Sequence, residues 1–151
     1  MSNPSNKDRN RFVEDVARML TPWGVPGAAA RLYGYLLLCP GPVSLDEITE
    51  DLGISKSSAS VAARLLESYT LARRHREART KRALYAVADD YEHMIRQQNQ
   101  LLDALAEQLN AGTGIVASRE VNARLSEMAE FYRVMRSAMD DAMRRWKRGR
   151  S

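Results

Sequence analysis

Three things are scarce in this chain of 151 residues: cysteine, histidine and long apolar runs. A single cysteine, Cys39, forbids an intrachain disulfide and any cysteine-rich metal site. The two histidines, His75 and His93, lie far apart without ligand spacing, so neither a metal nor another cofactor is expected. No run approaches the roughly 18 apolar residues of a membrane span. The N-terminal stretch with Pro4, Asp8 and Arg9 has no hydrophobic signal core, which leads us to expect a cytoplasmic protein. A glycine-rich phosphate loop is missing, no histidine accompanies a nucleophile motif, and the carboxylates are scattered along helix surfaces. An enzyme is therefore not expected.

What the chain does have is 44% apolar content, enough for a real core, and room for one compact domain plus an extension. Its net charge of +4 is unevenly spread. Through residue 88 there are 13 Lys plus Arg against 9 Asp plus Glu, whereas from 89 onward the two balance at 10 each. The basic excess coincides with the most informative stretch, Ser44 to Tyr69. Ser44 stands three residues before Glu47 ahead of an apolar-periodic run, the pattern of a capping box. Leu45, Ile48 and Leu52 line one helix face and Gly53 ends it. Ser55 then caps a second helix with Ala59, Ala62, Ala63 and Leu66 on its apolar side. The opposite face carries Lys56, Ser57, Ser60 and Arg64, a set of donors without a carboxylate, as a helix entering a DNA major groove would. A plain solvated face would look much the same.

The flanking segments fit around this helix pair. Residues Met1 to Asn6 are polar and expected to fray. From Lys7 to about Leu20, Phe12, Val13, Val16, Met19 and Leu20 mark an amphipathic helix, stopped by Thr21-Pro22-Trp23-Gly24. Pro26 opens a core helix with Leu32, Tyr33, Leu36 and Leu37, and Val43 suits one short edge strand. Beyond Thr70 the pattern alternates, predicting strands over Leu71–Arg76 and Arg82–Val87. Their hairpin is dense in cations: Arg73, Arg74, Arg76, Arg79, Lys81 and Arg82 against Glu77 alone. A wing so charged is placed to meet phosphates, although charge also protects an ordinary sheet edge.

Asp89-Asp90 begins a long helix in which Tyr91, Met94, Ile95, Gln98, Leu102, Leu105 and Leu109 recur in a heptad-like seam. After Gly112-Thr113-Gly114 a second long helix starts near Ser118, with Val121, Leu125, Met128, Tyr132, Met135, Met139, Met143 and Trp146 at alternating spacings of four and three. Apolar stripes of this length need a partner, and a homodimer is expected, with Leu102, Leu105, Leu109, Val121, Leu125, Met128, Met139 and Met143 in its seam. The predicted fold class is mainly α with a small β-wing: a winged helix-turn-helix domain at 7–88 and a helical dimerisation region at 89–151. The N-terminal helix over 7–21 is expected to pack on the dimer helices as well.

The chain resembles the multiple-antibiotic-resistance (MarR) type of winged-helix transcription regulators. It looks closest to the branch of glycine-betaine-synthesis repressors and actinobacterial efflux-pump repressors. Trp23-Gly24-Val25-Pro26 leading into Ala30-Arg31-Leu32-Tyr33-Gly34-Tyr35-Leu36-Leu37 carries the likeness, with Pro42 to Ile48, Leu52 to Ser60 and the wing ending at Tyr85. The resemblance implies a homodimer that binds near-palindromic operator DNA, usually as a repressor, and lets go when a small molecule binds between the winged domain and the dimer helices; a hydrophobic or cationic effector is expected. Residues the resemblance implies at DNA are Ser55, Lys56, Ser57, Ser60 and Arg64, and the wing's own charge adds Arg74, Arg76, Arg79, Lys81 and Arg82 to the expectation. Candidates for the effector are Phe12, Trp23, Tyr33, Tyr91, Met94, Phe131, Tyr132 and Met135. Two departures stand out: Val61 occupies a place where the family often has Arg, and the wing tip has no glycine. The competing expectation is a winged-helix protein-interaction module that does not bind operator DNA.

Overall fold

The structure, a computed structural model, describes residues 4–150, with side chains from Asn6 onward. It divides into two compact units, Met1–Asp89 and Asp90–Ser151. Of the segment expected to fray, Met1 to Asn3 lie outside the described residues. From Pro4 the chain is already helical, so α1 (Pro4–Leu20) starts one turn earlier than the apolar pattern suggests. Proline tolerates a first-turn position because the amide it lacks would be unpaired there anyway.

In the first unit a short 3-10 turn at Thr21–Trp23 leads into α2 (Gly27–Leu37), β1 (Val43–Ser44), α3 (Leu45–Leu52), α4 (Lys56–Ser68), β2 (Ala72–Arg76) and β3 (Ala83–Val87). The three strands form an antiparallel sheet in the order β1-β3-β2, with Val43 opposite Tyr85 and Arg74 also opposite Tyr85 from the other side. This is the winged-helix arrangement. Its core is built on Leu32 and Leu36 of α2, Ile48 of α3 and Leu66 of α4, all essentially inaccessible. Burying each such side chain contributes about 1.5–3 kcal/mol. The buried face of α4 is otherwise Ala59, Ala62 and Ala63, whose small size lets neighbouring helices approach closely. Gly34 of α2 serves the same end against α1: a methyl there would meet the Val13 backbone at 3.1 Å.

Local sequence explains how the helix pair is placed. The Ser44 hydroxyl accepts from the Glu47 amide at 3.2 Å, starting α3. The return half of the expected capping box differs: the Glu47 carboxylate accepts from the Ser44 hydroxyl at 3.4 Å instead of reaching its backbone amide, since Ser44 belongs to the β1–β3 pairing. Gly53, at φ 66°, closes α3 with its amide on the Thr49 carbonyl. The left-handed conformation costs glycine nothing and lets the chain turn directly into the cap of α4.

The second unit is a helical hairpin of α5 (Tyr91–Ala111) and α6 (Arg119–Arg148). The helices run antiparallel, tied by Lys147 to Glu92 at 2.7 Å, Asn99 to Asp140 at 3.4 Å and Arg136 to Asp103 at 3.1 Å. On α5 the half-buried or buried stripe is Ile95, Asn99, Leu102, Ala106 and Leu109. On α6 it is Leu125, Ala129, Tyr132, Arg136, Met139 and Met143. No described helix is long and apolar enough to cross a membrane.

Candidate nucleic-acid interface

The exposed face of α4 is organised by its cap. Ser55 accepts from the Ser58 amide at 3.1 Å, and its hydroxyl also meets those of Ser57 and Ser58 at 3.2 and 2.9 Å. Side chains that would otherwise compete for the backbone are thus drawn into fixing the first turn. At helical spacing, Ser57, Ser60, Val61 and Arg64 fall within one stripe of roughly 100°. Ser57, Val61 and Arg64 are exposed and Ser60 is half-buried. Arg64 has no carboxylate partner among the described residues. Lys56, at the edge of the stripe, lies 3.3 Å from Asp46 in an exposed pair that water and salt weaken.

The wing sorts its cations in a way that counting them does not reveal. Glu77 builds the tip: its amide donates to the Arg82 carbonyl at 2.9 Å and its carbonyl accepts from the Lys81 amide at 2.7 Å. Its carboxylate holds both the Thr80 hydroxyl at 2.9 Å and Arg82 at 3.1 Å. Arg73 pairs with Asp89 at 3.1 Å, and Arg74 stands 3.9 Å from Glu67. Arg76 donates to the Lys81 carbonyl at 3.4 Å. Among the described residues that leaves Arg76, Arg79 and Lys81 without a carboxylate, all three exposed. Lys81 takes a positive φ of 56°, which closes the tip in place of the missing glycine.

The effector candidates are divided between the two units. Phe12, Trp23 and Tyr33 belong to the first, where Tyr33 packs against the core while Trp23 is 86% exposed. In the hairpin Tyr91 stacks edge-on against Trp146, with ring centroids 5.4 Å apart, and Phe131 against Tyr132 at 5.5 Å. Met94 is half-buried and Met135 exposed. Of the seam candidates, Leu102, Leu109, Val121, Leu125, Met139 and Met143 are half-buried within the single chain, whereas Leu105 and Met128 remain exposed. The outward apolar set is completed by Leu101, Phe131, Val134 and Met135.

Two features escaped sequence reasoning. One is a cavity of about 640 Å³ in the first unit, lined by Arg9, Glu14, Arg31, Tyr35 and Asp51 among others. Inside it the Tyr35 hydroxyl donates to Asp51 at 2.5 Å, and burial together with that carboxylate pushes the phenol's pKa far above its usual range. Nothing in the sequence links two residues on different helices in this way. Burial likewise raises the Cys39 thiol, whose Sγ donates to the Tyr35 carbonyl at 3.3 Å, so the group stays a protonated packing residue. The other is an apolar groove of about 290 Å³ between the start of α2 and α4, lined by Pro26, Ala28, Val61 and Leu65.

Residues 89–149, the hairpin, match the family model of MmpR5-like MarR family transcriptional regulators. The chain is 28% identical over 82 residues to a putative HTH-type transcriptional regulator, YvaV, of Bacillus subtilis, covering 54% of this chain and 46% of that protein. It is also 28% identical over 80 residues to the HTH-type transcriptional repressor OpcR of the same organism, covering 53% and 43%. The hairpin is thus similar to part of that family, and about half of the chain to two regulators of the helix-turn-helix type. The chain spans less than half the length of the curated relatives it matches. A crystal structure of a transcriptional regulator shares its fold with a TM-score of 0.84 at 24% identity, covering 93% of this chain and 99% of that one. Both relatives and the matching family model are named as transcriptional regulators.

Proposed function

We propose that this protein is a homodimeric, sequence-specific DNA-binding regulator, acting as a repressor that a small hydrophobic or cationic effector releases. The observation that carries the reading is the distribution of cations left without carboxylates. Arg64 on the exposed stripe of α4 and Arg76, Arg79 and Lys81 on the wing belong to one compact unit, and a polyanion would supply the charge that the chain does not. Ser57, Ser60 and Arg64 are assigned to base edges, Lys56 and the wing to phosphates, and Ser55 to holding the helix that presents them. Arg74 and Arg82, which face Glu67 and Glu77, take part only by sharing those partners. The betaine-repressor branch remains part of this proposal, with Trp23 exposed where an aromatic face could meet a quaternary ammonium.

Dimerisation is proposed through the outward apolar set of Leu101, Leu105, Met128, Phe131, Val134 and Met135, which a single hairpin leaves in water. Two copies would hold two α4 helices at a separation suited to successive major grooves, about 34 Å. An effector acts by favouring one separation over another, and only to the extent of its differential affinity. Phe12, Trp23, Tyr33, Tyr91, Met94, Phe131, Tyr132 and Met135 remain the candidates for contacting it.

The test is a fluorescence-anisotropy titration on the DNA upstream of the protein's own gene and on a scrambled duplex, across several salt concentrations. Preference for the upstream DNA with a steep salt slope is expected. One observation favours the alternative of a protein-interaction module: the apolar groove beside Val61. Failure of a confirmed dimer to bind either duplex at low salt would give that alternative the case.

A further inference from the structure

Every other outward residue on the stripe of α4 offers a hydrogen bond or a charge, yet Val61, on the margin of the stripe nearest Leu65, is 66% exposed. An isopropyl group left mostly in water midway along a short, capped helix contributes little to the fold. The core side of α4 is already complete with Ala59, Ala62, Ala63 and Leu66. Its neighbours also leave it prominent. The Ser57 hydroxyl, one turn earlier, is drawn toward Ser55 at 3.2 Å, and Ser60 is half-buried. A β-branched side chain in a helix holds one strongly preferred rotamer, so both methyls of Val61 point in fixed directions.

We infer that Val61 is a specificity-determining residue that reads the 5-methyl group of a thymine in the major groove. The inference rests on the DNA-binding reading above. Among the groups that base pairs present in the major groove, the thymine methyl is the apolar one, and valine can offer it contact while making no hydrogen bond to any other base. Donors and acceptors of adenine, guanine or cytosine placed opposite Val61 would lose water without compensation, which discriminates against them. Arg64 fixes the neighbourhood. Three residues along a helix advance about 4.5 Å, on the order of one base-pair step of about 3.4 Å. The thymine therefore lies beside the base that Arg64 contacts, and the two appear as adjacent or nearly adjacent positions in each half-site. Val61 also borders the apolar groove that runs to Pro26 and Leu65, so the surface next to it is apolar as well.

The experiment uses the full chain. Binding sites are selected from random duplexes, and each thymine of the selected site is then replaced singly by deoxyuridine, which removes only the methyl. One replacement in each half-site is expected to weaken binding by about fourfold, the equivalent of one buried methyl or methylene group. Val61→Ala should bind the thymine duplex correspondingly less well and lose that discrimination, with an unchanged circular-dichroism spectrum and an unchanged salt slope on non-specific DNA. Selected DNA that binds equally well with deoxyuridine at every position would overturn the role of Val61 and leave DNA binding standing. Persistence of the discrimination in Val61→Ala would assign the methyl to another residue. A chain that enriches no duplex and shows no salt-dependent binding would overturn both, and would return Val61 and its groove to a protein contact.

Discussion

Removing charge at Arg79 and Lys81 tests the wing where the geometry is least ambiguous. Both are exposed, neither has a carboxylate among the described residues, and Glu77 is occupied with Thr80 and Arg82. In Arg79→Gln/Lys81→Gln the turn keeps its backbone bonds between Glu77 and Arg82 and between Lys81 and Glu77, so the hairpin should survive. If both cations meet phosphates, the proposed dimer loses four contacts. At about 0.9 per contact, the slope of log affinity against log salt should then flatten by about 3.6. Between about 50 and about 200 mM salt, the wild type should lose on the order of 100-fold more affinity than the variant. Anisotropy titrations of both proteins on one duplex at four or more salt concentrations read this directly. Arg73→Gln serves as the comparison: its guanidinium already faces Asp89, and its effect on the slope should be smaller. An unchanged slope in the double variant would refute the assignment of the wing tip to phosphates. A slope change as large for Arg73→Gln would refute the sorting of wing cations by their partners.

Arg64→Ala should cost roughly 1–3 kcal/mol on the selected operator and relax preference at one base pair, whereas a uniform loss on all duplexes would assign the guanidinium to phosphate. Gly34→Ala forces a methyl against Val13 and Val16, and should destabilise by roughly 1–3 kcal/mol, less up to about 1 kcal/mol from better helix propensity; an unchanged thermal midpoint would show that α1 shifts freely. Tyr35→Phe removes a charge-assisted bond to Asp51 and should cost about 1.5–3 kcal/mol near neutrality. Because the folded phenol ionises above its unfolded value of about 10, its contribution is complete below that pH and declines as pH rises beyond it, so the wild type should lose urea resistance in alkali more steeply than Tyr35→Phe. Asn99→Leu replaces a buried amide whose Oδ1 has no partner among the described residues; a stability gain of about 1–3 kcal/mol, read from denaturant unfolding, is expected, and a loss would show that the oxygen finds a partner in the assembled protein.

The helix-turn-helix could be read from the sequence because its determinants are local. Ser44, Gly53 and Ser55 act within a few residues of their positions in the chain, and the alanine face of α4 is set by a simple period. The two long helices were legible, but not that they pack on each other within one chain, nor which residues meet there. The apolar period of α6 runs through Met128 and Met135, expected at a dimer seam and an effector, and both are exposed in the single chain, whereas Ala129 is fully buried and Arg136 half-buried. Antiparallel helices that approach closely favour a small side chain at the contact, and an arginine stem can cover apolar surface while its head reaches Asp103 and Asp140. Gln98 and Asn99 invert in the same way, because polarity alone does not say which amide lies inside. The cavity at Tyr35 and Asp51 was not legible at all, since it depends on how three helices, α1, α2 and α3, come together.

The same distinction governs the charge. Six cations against one carboxylate over the wing suggest a uniformly positive surface, but the structure brings Asp89 and Glu67 from outside that segment to Arg73 and Arg74. Within α4 and the wing, the cations without a carboxylate are thereby narrowed to Arg64, Arg76 and the tip. A narrow set of free cations constrains orientation more than a broad one, because a shifted or reversed dock loses a larger share of its contacts. Phosphate contacts at the wing tip would thus fix where α4 lies along the duplex, and only a helix so fixed can use a contact as short-ranged as that of Val61 with a single methyl group.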